Sequence, residues 1–162
     1  MTEISRLVAA NRAYAAGRAS VPDKRPSRRL AVLTCMDTRI DVLAALGLRP
    51  GEAHVLRNAG ARVTEDVLRG LALSSHALGT EHVVVMQHTD CGLYGATDDE
   101  LRATTGAPIP FLPIHDHAEA LRHDVALLAA TPYLDTVRSV GGLLFDVERG
   151  EVDVVVEWAR ED

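Results

Sequence analysis

The sequence predicts an α/β fold, a mainly parallel central sheet flanked by helices and closed by a C-terminal hairpin strand. Three observations carry this. Short apolar runs at Leu30–Thr34, Ala53–Leu56 and His82–Met86 alternate with stretches of helical period. Residues able to do chemistry cluster just past the first and third runs, where parallel sheets gather functional side chains. Two further runs, Leu143–Val147 and Val152–Val156, are joined by Glu148-Arg149-Gly150-Glu151, a hairpin connection.

Taken in order, Thr2 to Ala16 places Ile4, Leu7, Val8, Tyr14 and Ala15 near one helix face, and Gly17 is the stop. Ser20 to Arg29 is basic, contains Pro22 and Pro26, and reads as a connector. Leu30–Thr34 is a buried strand with Cys35 at its exit. Asp41 to Leu46 is a short helix closed by Gly47, and Pro50-Gly51 is a turn before the second strand. Thr64 caps a helix whose face is Val67, Leu68, Leu71, Ala72, Ser75 and Leu78, with Glu65 and Asp66 in its first turn. Gly79 ends that helix, and the His82–Met86 strand delivers His88 and Cys91 just beyond its end. Thr97 to Arg102 forms a short helix, and the prolines at 108, 110 and 113 stiffen the loop that follows. Asp116 with Glu119 resembles a capping box for a helix lined by Ala118, Leu121, Val125 and Leu128.

At 162 residues the chain is read as one domain, 1–162, large enough to bury a core without disulfides. Aromatics make up only 4%, so Ala, Val and Leu must build that core. A formal charge of −6 argues against a nucleic-acid partner. No apolar run approaches the ~20 residues needed to span a bilayer, and no signal pattern is visible, so the expected location is the cytoplasm, with no membrane partner. There, two cysteines serve packing, redox chemistry or metal binding rather than a structural disulfide.

Two clusters matter: Cys35-Met36-Asp37-Thr38-Arg39 and His88-Thr89-Asp90-Cys91-Gly92. If the chain stays extended past Cys35, residues 35, 37 and 39 point to one side, so a thiol, a carboxylate and a guanidinium share one space. His88 and Cys91 lie close enough for a short loop to aim both at one ion. Thiolate and imidazole suit zinc, which prefers four ligands in a tetrahedron, and three protein ligands leave one position for water or substrate. Taken singly, Cys35 reads as a core cysteine, Cys91 as a redox thiol and His88 as a structural histidine. Asp37 and Arg39 alone read as a solvated ion pair. Convergence at two strand exits favours the metal. His115, His117 and His123 read as surface residues, and Gln87 as a strand residue bonded locally.

The pattern C-x-D-x-R followed some fifty residues later by H-x-x-C resembles the zinc signature of β-carbonic anhydrases. Ala53-His54-Val55-Leu56-Arg57-Asn58-Ala59-Gly60 is similar to that family's second strand and turn, and Gly141 to Val147 to its late strand. The likeness covers residues 28 to 157, and the compact length resembles a small bacterial and mycobacterial-type branch. It implies zinc on Cys35, His88 and Cys91, an Asp37–Arg39 dyad beside it, and reversible hydration of carbon dioxide to bicarbonate. It implies as well a second state in which Asp37 becomes the fourth ligand and closes the site. Two other readings stay open: hydrolysis of carbonyl sulfide or carbon disulfide, and a non-enzymatic zinc protein closed by Asp37. The family assembles as dimers or more. The first helix, with its own apolar face, could cover its own sheet or pack on a partner, and a homodimer or larger homo-oligomer is expected. The family's cleft glutamine and bicarbonate-pocket tryptophan have no match in Gln87 or Trp158.

Overall fold

In the computed structural model, which describes residues 2–20 and 23–161, five strands share one sheet. They are β1 (Leu30–Cys35), β2 (Ala53–Asn58), β3 (His82–His88), β4 (Ser139–Phe145) and β5 (Val152–Ala159). Their order is β2-β1-β3-β4-β5, with all pairs parallel except the terminal β4–β5 hairpin. The expected fold class is therefore observed. The helices are α1 (Glu3–Gly17), α2 (Val42–Ala45), α3 (Glu65–His76), α4 (Asp98–Thr105) and α5 (His117–Ala130). Val21 and Pro22 of the expected connector lie outside the described residues.

The two faces of the sheet follow the two-residue side-chain period of its strands. Ala31 and Leu33 of β1 and Val83 and Val85 of β3 pack with Val67 and Leu71 of α3 and with Leu121, Val125 and Leu128 of α5. The alternate residues Val32 and Met86 join Ile40, Val42, Leu48, Leu93 and Ile114 in a second cluster. The long helices α3 and α5 thus share one face, while α2 and the loops after β1 and β3 fill the other. It is on this second side that Cys35 and Cys91 are found.

Several boundaries differ from the sequence reading. β3 runs two residues past Met86, so His88 is its last residue rather than a loop residue. Pairing with β4 explains this, since Gln87 lies opposite Leu144 and His88 opposite Phe145. β4 begins at Ser139, four residues before the expected start, and ends at Phe145 rather than Val147. Gly141-Gly142 hid its first half, because glycine lowers strand propensity. Packing is the reason for glycine here: a Cβ on Gly142 would stand 2.6 Å from Val156 Cγ1 and 3.2 Å from Val125 Cγ2. The reciprocal capping box sits at Thr97 and Glu100 of α4, whereas Asp116 only accepts from the Glu119 N–H.

A buried ion pair ties the exit of β2 to α5. Arg62 donates through Nε and Nη2 to the two Asp124 oxygens at 2.8 and 3.2 Å, and through Nη1 to the Leu112 carbonyl at 2.7 Å. The Val63 N–H donates to the same carboxylate at 3.2 Å. Removing either charged partner would strand the other, at a cost of about 3–5 kcal/mol. Helix α1 is different in kind: none of its residues is buried.

Candidate metal centre

Adjacent strands β1 and β3 end side by side and bring the two clusters together. One ligand atom each from Cys35, His88 and Cys91 lies within 4.8 Å of the others, and all three residues are buried. Cys35 is the last residue of β1, His88 the last of β3, and Cys91 sits in the tight turn after β3. That turn needs Asp90 in the left-handed region at φ 54°, which aspartate tolerates better than most residues. Both cysteines are free thiols.

The imidazole of His88 is fixed by its neighbour. Its Nδ1 donates to the Thr89 carbonyl at 2.8 Å, so the lone pair is on Nε2. That Nε2 is buried and has no hydrogen-bond partner. A stranded buried polar atom costs about 1–3 kcal/mol. The Cys35 sulfur accepts from the Gly60 N–H at 3.3 Å. Gly60 has φ 71°, and a Cβ there would meet Leu93 Cδ1 at 2.7 Å, so glycine is favoured where this amide reaches the sulfur.

The two sulfurs share a hydrogen bond and are shifted in opposite directions. Donation from the Cys91 thiol, more than the opposing burial, lowers Cys35, with help from the nearby His88 and two backbone contacts. Cys91 is pushed up, first by that same hydrogen bond and then by burial. Burial works against the His88 imidazolium, but the nearby Cys35 sulfur and the Thr89 carbonyl outweigh it and raise the group. A dication bound by both sulfurs would displace their protons.

Beside the cluster, Arg39 holds Asp37 in a fork. Arg39 Nε donates to Asp37 Oδ1 at 3.0 Å, Nη2 to Oδ2 at 2.7 Å, and the Arg39 main-chain N–H to Oδ1 at 2.9 Å. These bonds hold the Asp37 carboxyl well below the usual carboxylate range, the side-chain bonds contributing most. Arg39 also reaches the other cluster, through Nη1 to Asp90 Oδ2 at 2.7 Å and Nη2 to the Asp90 carbonyl at 3.0 Å. Asp37 Oδ2 lies 3.8 Å from the free His88 Nε2. A cavity of about 430 Å³ opens over these groups, walled by Met36, Ala59, Gly60 and Leu93.

All five residues singled out from the sequence, Cys35, Asp37, Arg39, His88 and Cys91, therefore meet in one place. Asp90 and Gly60 also shape the site, and no spacing rule assigned them a role. The three late histidines divide. His115 and His123 are exposed, but His117 is half-buried, contrary to its surface reading. Its Nδ1 bonds the Gln87 side chain at 2.9 Å and its ring stacks on Tyr94 with centroids 4.9 Å apart. Gln87 is thus bonded across thirty residues rather than locally, because the strand period turns it away from His88 toward the start of α5. Among the described residues the late histidines form no metal-binding group.

A parallel α/β sheet with a buried Cys-His-Cys cluster at two strand exits defines a metalloprotein centre of the zinc type. The carbonic anhydrase family model matches residues 30–125, which hold every member of the cluster. Over 161 residues the chain is 37% identical to β-carbonic anhydrase 1 of Mycobacterium tuberculosis, covering 96% of this chain and 99% of that one. The crystal structure of carbonic anhydrase from Streptococcus mutans superposes with a TM-score of 0.85 at 40% identity, over 96% of this chain and 99% of that one. A carbon disulfide hydrolase of Saccharolobus solfataricus is 50% identical over 74 residues, but these cover 46% of this chain and 36% of that protein. The chain belongs to the β-carbonic anhydrase family.

Proposed function

We propose that this chain reversibly hydrates carbon dioxide to bicarbonate and a proton, with zinc held by Cys35, His88 and Cys91 and with Asp37 and Arg39 as the dyad beside it. The observation that carries this is the buried, unpartnered His88 Nε2 facing two sulfurs next to an arginine-held carboxylate. Two soft sulfurs and one imidazole nitrogen fit zinc, which removes the penalty on the stranded nitrogen. When bound there, zinc supplies the Lewis acidity that lets water lose a proton near neutral pH.

The chain's residues do the rest. A carboxylate has about four acceptor positions. Arg39 occupies two on Asp37 Oδ1 and one on Oδ2, which leaves a lone pair on the oxygen nearest His88. That lone pair accepts a hydrogen bond from the attacking oxygen and turns its own lone pair toward carbon. Met36, Ala59 and Leu93 give the cavity an apolar wall suited to a small nonpolar gas. Attack forms one C–O bond while a C=O electron pair moves to oxygen, and the proton released passes to solvent.

The grip of Arg39 on Asp37 supports an open site over one closed by Asp37 as fourth ligand, and so an enzyme over a purely structural zinc protein. The stretch shared with a carbon disulfide hydrolase supports a second reading. Carbonyl sulfide and carbon disulfide are likewise linear and electrophilic at carbon. Likeness to the M. tuberculosis protein along nearly the whole chain favours carbon dioxide. Stopped-flow hydration by zinc-loaded protein tests this, beside product assays with both sulfur gases. The expected outcome is fast hydration with little or no sulfide release; the reverse would transfer the chain to the hydrolases. Cys91→Ser should lose most of its zinc, measured by elemental analysis. Full zinc occupancy in a Cys35, His88 and Cys91 triple substitution would remove the assignment.

All five strands form one sheet, which supports reading residues 1–162 as one domain. Two buried free thiols fit a reducing compartment such as the cytoplasm. Among the described residues, no helix is long and apolar enough to cross a membrane. The exposed apolar side chains of α1 support a homodimer or larger assembly.

A further inference from the structure

The geometry points to Arg57 as a positioning residue that sets the main chain of residues 35–40, and with it the Cys35 sulfur and the Asp37 carboxylate. The inference rests on the zinc reading above. Arg57 is on β2, the edge strand, in register with Thr34 of β1. Its side chain reaches past the end of β1 and donates to three carbonyls of one loop. Nε bonds the Cys35 carbonyl at 2.9 Å, Nη2 the Asp37 carbonyl at 2.6 Å and Nη1 the Ile40 carbonyl at 3.2 Å. These acceptors span the loop from the last residue of β1 to the residue before Asp41, which caps α2.

Arg57 is exposed, so water could satisfy its donors and a surface carboxylate could neutralise it. Among the described residues it makes no ion pair, and its three nitrogens all serve the loop instead. A guanidinium is a rigid planar fork with fixed N–H directions. Three carbonyls bound to one such plane cannot move independently. The first two belong to a zinc ligand and to the dyad acid. Two arginines thereby govern Asp37 by separate handles: Arg39 grips its carboxylate, and Arg57 its carbonyl. Losing Arg39 frees a side chain on a fixed backbone. Losing Arg57 loosens the backbone that places the sulfur and the carboxylate together.

Cobalt-substituted protein tests this without carbon dioxide. The visible spectrum of cobalt(II) reports its ligands and their geometry, and a chelator measures its release. The variants are Arg57→Gln and Arg57→Lys, with Val67→Ala in α3 as a control that weakens the core away from the loop. The parent should show a tetrahedral spectrum with sulfur charge-transfer bands. Both Arg57 variants should shift the ligand-field bands and release cobalt about 10-fold faster or more, the usual scale for residues that orient metal ligands. Lysine should not rescue, because one ammonium cannot span three carbonyls. Val67→Ala should lower the melting temperature with the parent's spectrum and release rate. If Arg57→Gln does not fold, Arg57→Lys carries the comparison. Parent-like spectra and release in the Arg57 variants would overturn the inference and leave the zinc reading intact. A parent that takes up cobalt without sulfur bands would overturn both.

Discussion

Arg39 links the two halves of the site, since it bonds Asp37 after β1 and Asp90 after β3. Arg39→Ala should keep zinc, because no ligand is lost, yet free the Asp37 carboxylate to approach the metal. Activity should fall at least about 10-fold, and zinc-edge spectroscopy should find an added carboxylate oxygen. Asp37→Asn should also keep zinc, but lose the acceptor that orients the attacking oxygen. A loss on the order of 10²-fold is expected there, the lower range for removing a positioned acid or base, with water retained at the metal. Parent-rate hydration by Arg39→Ala would reduce Arg39 to a surface ion-pair residue. The spacing C-x-D-x-R made this pair legible, although not by the expected alternation: the chain turns at Thr38 and Arg39, and the Arg39 side chain reaches Asp37 from that turn. Asp90, Gly60 and Arg57 were not legible. Their roles depend on a left-handed turn, a close backbone approach and three main-chain carbonyls, none of which a residue type announces.

At the scale of elements, hydrophobic period located every strand, but pairing partners set the ends. β3 gained Gln87 and His88 because β4 continues beside them. β4 was half hidden by Gly141-Gly142, and the smallness of Gly142 serves contact rather than a turn. Gly142 has no room for a side chain between β5 and α5. Gly142→Ala should therefore destabilise the fold by about 1–3 kcal/mol, the usual cost of overpacking, as read from the urea midpoint at constant slope. An alanine variant as stable as the parent would show that Val156 can yield at little cost. His117 belongs to the same lesson. It looked like one of three surface histidines, but as the first residue of α5 it meets the buried Gln87 from β3. Only the docking of α5 on the sheet brings the two together.

For the molecule as a whole, α1 is the part that its own chain does not account for. Ile4, Leu7, Val8 and Tyr14 are 70, 58, 48 and 61% exposed, although helical period places them near one face. The apolar face was legible in the sequence; whether it covered its own sheet was not, since that depends on where the connector after Gly17 directs the helix. The structure leaves it uncovered. Val55 on the edge strand β2 and Val154 on the opposite edge, β5, are exposed as well. Isolated helices of about fifteen residues are marginal in water and draw most of their stability from packing an apolar face. A second copy of the chain would supply that packing, and symmetric pairing is the commonest route. Analytical ultracentrifugation should give at least twice the chain mass at assay concentration. Deleting residues 1–17 should shift the equilibrium toward smaller species and raise the concentration needed for full activity. The zinc content of each chain should stay unchanged, because all three ligands lie on β1, β3 and the turn after it. A stable monomer with full activity would show that α1 packs on nothing needed for function and that the cavity lined by Cys35, Asp37 and Cys91 works within one chain.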